Sequence, residues 1–158
     1  MQVATTKGRI ESIRLIPENP RVTPQVLSAL LTAEWITIGP GSWFSSVMPH
    51  LLLPELAQAV VSSNAKRIMV LNLPEPDSAD EFAGSSAADH LEFILQHQPR
   101  LRIDFAIVDP AAIEVNSRLK GLVEGLGGEL VVAPLAQTPG SYHHDVLKLR
   151  SVFSHIIG

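Results

Sequence analysis

Cysteine is absent from all 158 residues, which excludes a disulfide framework, a thiolate metal site and a thiol nucleophile. Aromatic residues make up only 5% of the chain and charged residues 18%. The 12 lysines and arginines are scattered, and against 16 aspartates and glutamates they leave a formal net charge of −4. Such a chain lacks the basic stripe that a nucleic acid or an anionic membrane selects, so no nucleic-acid partner is expected. No apolar run reaches the ~18 residues needed to cross a bilayer. The longest candidate, around Leu51-Leu52-Leu53, is broken by Pro49, Pro54 and Glu55. Met1 to Lys7 has no apolar core of a secretory leader. A cytoplasmic protein without membrane insertion is the simplest expectation. Several chemical signatures are missing too: Gly-x-Ser-x-Gly, His-Glu-x-x-His, Gly-x-x-x-x-Gly-Lys-Ser/Thr and a full Gly-x-Gly-x-x-Gly. No catalytic group is assigned, and no metal site is expected.

The length suits one domain over residues 1–158 with a substantial core of its own. The mean hydropathy of +0.20 is high for so few charges. A surface of that kind often hides part of itself against a partner. A homo-oligomer, or a portion of a larger protein, is therefore expected; the alternative is an ordinary domain rich in alanine and leucine.

Four apolar stretches read as strands: Trp35 to Ile38, Lys66 to Leu73, Ile103 to Val108 and Glu129 to Ala133. Helical patterns fall between them. Thr23 and Pro24 start one that runs to about Ala33, at positions suited to an N-cap and a first helical turn. A short helix to Met48 and another over Pro54 to Ser63 follow the first strand. Ser86 with Asp89 resembles a capping box ahead of a helix to about Gln98. Asn116 to Leu126 is helical, stopped by Gly127-Gly128, and Asp145 to Ile157 forms a last helix. Its stripe is Val146, Leu149, Val152, Phe153 and Ile156. Gln2 to Thr5 and Arg9 to Ile16 suggest a hairpin about Gly8, and Pro74 to Gly84 an acidic loop. Apolar strands alternating with helices at about 30-residue spacing predict a doubly wound parallel α/β sheet.

In such sheets ligands bind beyond the carboxyl ends of the strands. The first of these ends is Gly39-Pro40-Gly41-Ser42, followed by a helix-like segment. Small residues there let a phosphate approach the backbone, and a helix start presents unpaired N–H groups. Pro40 has no N–H, so the donors would come from Gly41, Ser42 and Trp43, with the Ser42 hydroxyl beside them. The alternative is a tight turn with Ser42 as a helix cap. Asn72, at another strand end, could bind a ribose hydroxyl or phosphate, or hold the neighbouring loop. Asp89 and His90 open a helix; Asp89 could be a cap or a site residue. His97 shares the face of His90, but two histidines seven apart without a carboxylate make a weak metal signal. His144 and Asp145, after His143, could serve acid–base chemistry, or Asp145 could cap the last helix. Trp35, Trp43 and Phe44 are expected to pack rather than to stack on bases.

Together these pieces resemble one family. The block Trp-Ile-Thr-Ile-Gly-Pro-Gly-Ser-Trp-Phe-Ser-Ser-Val-Met-Pro-His over Trp35–His50 is its most specific element. After it come a lysine-led strand ending in Asn72-Leu73, Asp89-His90-Leu91, and His144-Asp145 before a terminal helix. This pattern resembles the gluconeogenesis factor (YvcK-like) family, relatives of 2-phospho-L-lactate transferase (CofD-like). The opening Ala4 to Glu11, with Trp43-Phe44 and His143-His144-Asp145, is most similar to the actinobacterial branch.

The resemblance implies a Rossmann-like three-layer α/β/α fold, with a mostly parallel sheet and an N-terminal β-hairpin. It implies a cytoplasmic regulator that binds a nucleotide sugar, UDP-N-acetylglucosamine, and links carbon metabolism to cell-wall synthesis and cell shape. Gly39, Gly41, Ser42, Asn72, Asp89, His90, His144 and Asp145 would then line a nucleotide site. The transferase relatives move a phospholactyl group from a guanylylated donor to a deazaflavin, with magnesium; a non-catalytic assembly module is a further alternative. The family's opening Gly-Gly-Gly-Thr-Gly turn and Asp-Asp-Gly-Gly segment are absent, so the chain is expected to be the C-terminal part of a longer protein. Pro74-Glu75-Pro76-Asp77-Ser78 stands where many members have Gln-Pro-Gly-Glu-Thr, and His143 where several have arginine.

Overall fold

The computed structural model describes residues 13–74, 86–113 and 118–158. Four strands form one wholly parallel sheet in the order β1-β2-β3-β4: Trp35–Ile38, Lys66–Val70, Phe105–Val108 and Glu129–Val132. The helices are α1 (Pro24–Thr32), α2 (Met48–Leu52), α3 (Pro54–Ser62), α4 (Ala87–His97), α5 (Arg118–Gly125) and α6 (Val146–Ile157). A π-helical turn, Trp43–Val47, leads into α2, and a 3-10 turn, Pro110–Ala112, follows β3.

Residues paired across parallel strands point to the same side. Ile38, Met69, Ala106 and Leu130 form one row. They meet Val47, Met48 and Leu51, Val60 of α3, Leu91 and Ile94 of α4, and Leu119 and Val123 of α5. On the opposite face Ile68, Val70 and Ile107 meet Leu149, Val152, Phe153 and Ile156 of α6. The chain is thus three-layered, α/β/α, as its alternating pattern predicts. The inner strands are apolar at nearly every position because both of their faces are covered.

The winding differs from the doubly wound expectation. Strand order never reverses among the described strands, and the helices connecting them lie on one face. Among the described helices only α6 covers the other. Periodicity reports which residues of a helix are apolar, not which side of the sheet receives them. The hairpin predicted for Gln2 to Ile16 falls largely outside the described residues, and Ile13–Ile16 within them are not strand. The loop predicted from Pro74 also lies outside from residue 75 onward. Thr23 stands at the N-cap of α1, with Pro24 in the first turn, yet its side chain makes no capping bond.

One buried charge breaks the apolar pattern of β2. Arg67, 6% exposed, turns under the end of α3. Its guanidinium donates to the carbonyls of Val60, Val61 and Ser63 at 2.6–3.2 Å. These are carbonyls a helix end leaves unpaired, and the negative end of the helix dipole favours the cation. Arg67 therefore fixes α3 to the amino end of β2, opposite the candidate site.

Candidate functional site

The carboxyl ends of β1 and β2 are joined by a reciprocal amide lock. Gly41 N–H donates to Asn72 Oδ1 at 3.0 Å, and Asn72 Nδ2 donates to the Gly41 carbonyl at 2.9 Å. Of the two roles open to Asn72, the structure places it in the loop-holding one. The bond also occupies the N–H of Gly41, one of the three donors expected for phosphate. Sequence spacing could not foresee that, because Asn72 is 31 residues away.

Two glycines make this turn feasible. Gly39 has φ of +75°, and a Cβ there would lie 2.7 Å from the Val70 carbonyl oxygen. Gly41 has φ of +147°, and its Cβ would press on Ser46 Cβ at 3.1 Å. Only glycine combines these angles with so close a backbone approach. Ser42 Oγ then accepts from Ser45 N–H at 3.2 Å, so its hydroxyl caps the π-helical turn. The cap and the phosphate roles need not exclude each other, since a hydroxyl oxygen has two lone pairs and a proton.

His90 reaches the same turn through Trp43. Their ring centroids are 5.0 Å apart, and both side chains are buried. Asp89 faces elsewhere. It completes the capping box expected from the sequence, accepting from Ser86 N–H at 2.7 Å while Ser86 Oγ accepts from Asp89 N–H. It also pairs with Arg118 at the start of α5. The Ser86 backbone bond, against the opposing effect of burial and with help from Arg118, holds its carboxyl below the usual range.

The carboxyl ends of β3 and β4 form a second cluster. Asp109, 6% exposed, follows β3 directly. Burial alone would raise its pKa; N–H groups of Leu135, Ala111 and Ala136, at 2.6, 2.8 and 3.2 Å, outweigh this and lower it. His144 pairs with Ala136 in an antiparallel bridge. Burial lowers the pKa of its imidazole, while the Leu71 carbonyl and the Asp109 charge act the other way. Its Nε2 is enclosed and has no hydrogen-bond partner among the described residues. Asp145 instead caps α6, accepting from Leu147 N–H at 2.8 Å and Lys148 N–H at 3.1 Å.

Of the eight residues singled out from the sequence, Gly39, Gly41, Ser42 and Asn72 form one bonded unit, and His90 adjoins it through Trp43. His144 stands at the same edge of the sheet beside Leu71, the residue preceding Asn72. Asp89 and Asp145 serve as helix caps. Asp109, at the end of β3, is not among those eight. Its signal, an aspartate closing an apolar strand before a proline, was there but nonspecific. His97 lies apart, packed on Phe93 near the far end of α4. No grouping of three metal-ligating side chains occurs among the described residues. No helix there is long and apolar enough to cross a membrane.

Comparison with known proteins agrees on one kinship. A family model described as 2-phospho-L-lactate transferase CofD matches residues 1–125. A Mycobacterium tuberculosis protein named "Putative gluconeogenesis factor" is 37% identical over 98% of this chain and 45% of its own length. A Deinococcus radiodurans protein of the same name is 38% identical over 94% of this chain and 34% of its own length. A crystal structure of a Bacillus halodurans protein superposes with a TM-score of 0.78 at 21% identity, covering 99% of this chain and 53% of that one. At that identity the likeness shows the fold. The chain spans less than half the length of those two relatives.

Proposed function

This chain belongs to the CofD family, and from that membership we propose that it is the C-terminal part of a gluconeogenesis factor that binds a nucleotide sugar. The ligand is UDP-N-acetylglucosamine, and the role is regulatory: it links carbon metabolism to cell-wall synthesis and cell shape in the cytoplasm. The observation that carries this reading is the lock between Asn72 and Gly41. It holds a glycine turn rigid across two neighbouring strand ends, beside the start of a helical segment. A turn already ordered costs little further entropy when a diphosphate settles on it. Gly39, Gly41 and Ser42 form the phosphate platform, Asn72 fixes it, and His90 and His144 flank it. Asp89 and Asp145 contribute as the caps of α4 and α6. The family kinship and the shared name of the relatives support the regulatory role.

Isothermal titration of UDP-N-acetylglucosamine into the chain tests this, with GDP as the comparison. Saturable heat with the UDP-sugar alone is the expected outcome. Heat with GDP alone favours the second reading, a transferase of a phospholactyl group from a guanylylated donor to a deazaflavin, for which the family description is the support. That reading further requires magnesium-dependent turnover. Silence with both ligands on this chain and on a longer one containing the remaining half of its relatives overturns nucleotide binding altogether. Self-association is part of the same proposal, supported by exposed Tyr142, Val146 and Leu147, which are 52%, 76% and 72% accessible. A purely monomeric boundary in sedimentation velocity at high protein concentration would remove it.

A further inference from the structure

The helical layer carries a groove between α2, α3 and the end of α4, apart from the phosphate platform. Its floor is Leu51, Leu52, Pro54, Ala57 and Val61. Its far wall is His97, at the end of α4, with Gln98 and Arg100 just beyond. α4 starts beside the platform, near His90, and its 11 residues span about 16 Å, so the groove lies at the other end of that helix. The groove holds about 330 Å³, at the small end of the ~300–1,000 Å³ common for ligand pockets. Two bonds fix its walls. Gln98 Nε2 donates to the Leu51 carbonyl at 2.8 Å, tying the end of α4 to α2 across 47 residues of sequence. His97 Nδ1 donates to the Phe93 carbonyl at 2.9 Å, and its ring packs on Phe93 with centroids 4.5 Å apart.

We propose that this groove binds a small monocarboxylic acid with an aliphatic body, at a site separate from that of the nucleotide sugar. The apolar floor takes the body, and Arg100 takes the carboxylate. Arg100 is the one permanently charged residue in the lining. It is exposed and makes no ion pair among the described residues. A guanidinium presents paired N–H donors that match the two oxygens of a carboxylate. One cation balances one negative charge. A phosphate monoester, carrying up to two, leaves an excess against an apolar wall, which is costly. The size of the groove sets the body at a few carbons rather than a long chain. The Gln98–Leu51 bond holds the two helices in place before the ligand arrives, so little ordering remains to be done on binding.

Octanoate is the probe, followed by calorimetry and by NMR shifts of the backbone amides. It is titrated into the wild-type chain, Arg100→Gln and Gln58→Trp. Gln58 lines the groove, and both substituted residues are exposed, so neither variant disturbs the core. Saturable binding is expected with a Kd of roughly 0.1–1 mM, the reach of a ligand of about ten non-hydrogen atoms. The shifts are expected to stay within α3, the corner before it and the end of α4. Arg100→Gln is expected to weaken octanoate about tenfold, the size of one charged hydrogen bond. Gln58→Trp, whose ring fills the groove, is expected to abolish binding. 1-Octanol has the same body without the charge; it should bind about tenfold more weakly and be indifferent to Arg100→Gln. Absence of saturable binding, unchanged octanoate affinity in Arg100→Gln, or shifts spread over the whole surface overturns the proposal. Tighter binding of octyl phosphate than of octanoate overturns the carboxylate assignment. Shifts at the same residues when the ligand-free protein is concentrated assign the groove to a second copy and overturn it as well. None of these outcomes bears on the nucleotide-sugar reading, because no nucleotide is present in the titrations.

Discussion

At the scale of single residues, the turn after β1 depends on the absence of side chains. Replacing Gly39 by alanine places a Cβ 2.7 Å from a backbone oxygen, at a φ of +75°. A loss of about 1–3 kcal/mol in urea unfolding is expected for such strain. Alanine at Gly121, where no atom lies within 4 Å of the added Cβ, provides the control and should be neutral or mildly stabilising. Arg67 is the other sensitive residue. Arg67→Met leaves the carbonyls at the end of α3 without their donor, and a loss on the order of 3 kcal/mol is expected. Chemical denaturation measures it; a change below ~0.5 kcal/mol would mean that water replaces the guanidinium fully. Neither sensitivity follows from residue type alone. An arginine in a strand reads as a surface residue until the end of α3 is seen above it.

At the scale of elements, caps decide where helices begin. The Ser86–Asp89 box was legible in the sequence, because both partners lie within one turn. Ser86→Ala is expected to cost about 1 kcal/mol and to speed hydrogen exchange in the first turn of α4. Asp145→Ala is expected to do the same for α6, where one carboxylate oxygen serves two N–H groups. If such a loss falls only on the helix and ligand affinity is unchanged, Asp145 is a cap and nothing more. The apolar stripes were legible for the same reason, being local and periodic. Thr23 shows the limit: its position was right, but its hydroxyl makes no cap bond. Asn72 and Asp109 were beyond local reading, since each bonds to backbone 26–31 residues away.

At the scale of the molecule, acid should act in two stages. His144 has a folded pKa below its ordinary 6.5, so the unfolded chain binds that proton first. Stability is full above about pH 6.5 and declines as pH falls below it. Asp89 and Asp109 have folded pKa values below 3.8; their contribution is present above that value and is lost as pH falls through it. Thermal midpoints across pH 3–8 should therefore show two falling segments, and His144→Gln should remove the upper one. A profile that keeps the upper segment in His144→Gln would place its origin in another group.

The sequence by itself determined the alternation of strands and helices, the Ser86–Asp89 capping box and the glycine turn at the end of β1, along with the family kinship carried by that turn. Each is encoded within a few residues, through periodicity, capping chemistry or the conformational freedom of glycine. Tertiary structure alone decided that the described strands run in unreversed order, that α6 alone among the described helices covers one face and that Arg67 lies beneath α3. It also decided that Asn72 locks Gly41 and that Asp109 ties the end of β3 to the connection between β4 and α6. These depend on which distant backbone groups arrive beside a side chain. Packing settles that, because every buried donor and acceptor must find a partner wherever the fold brings one near.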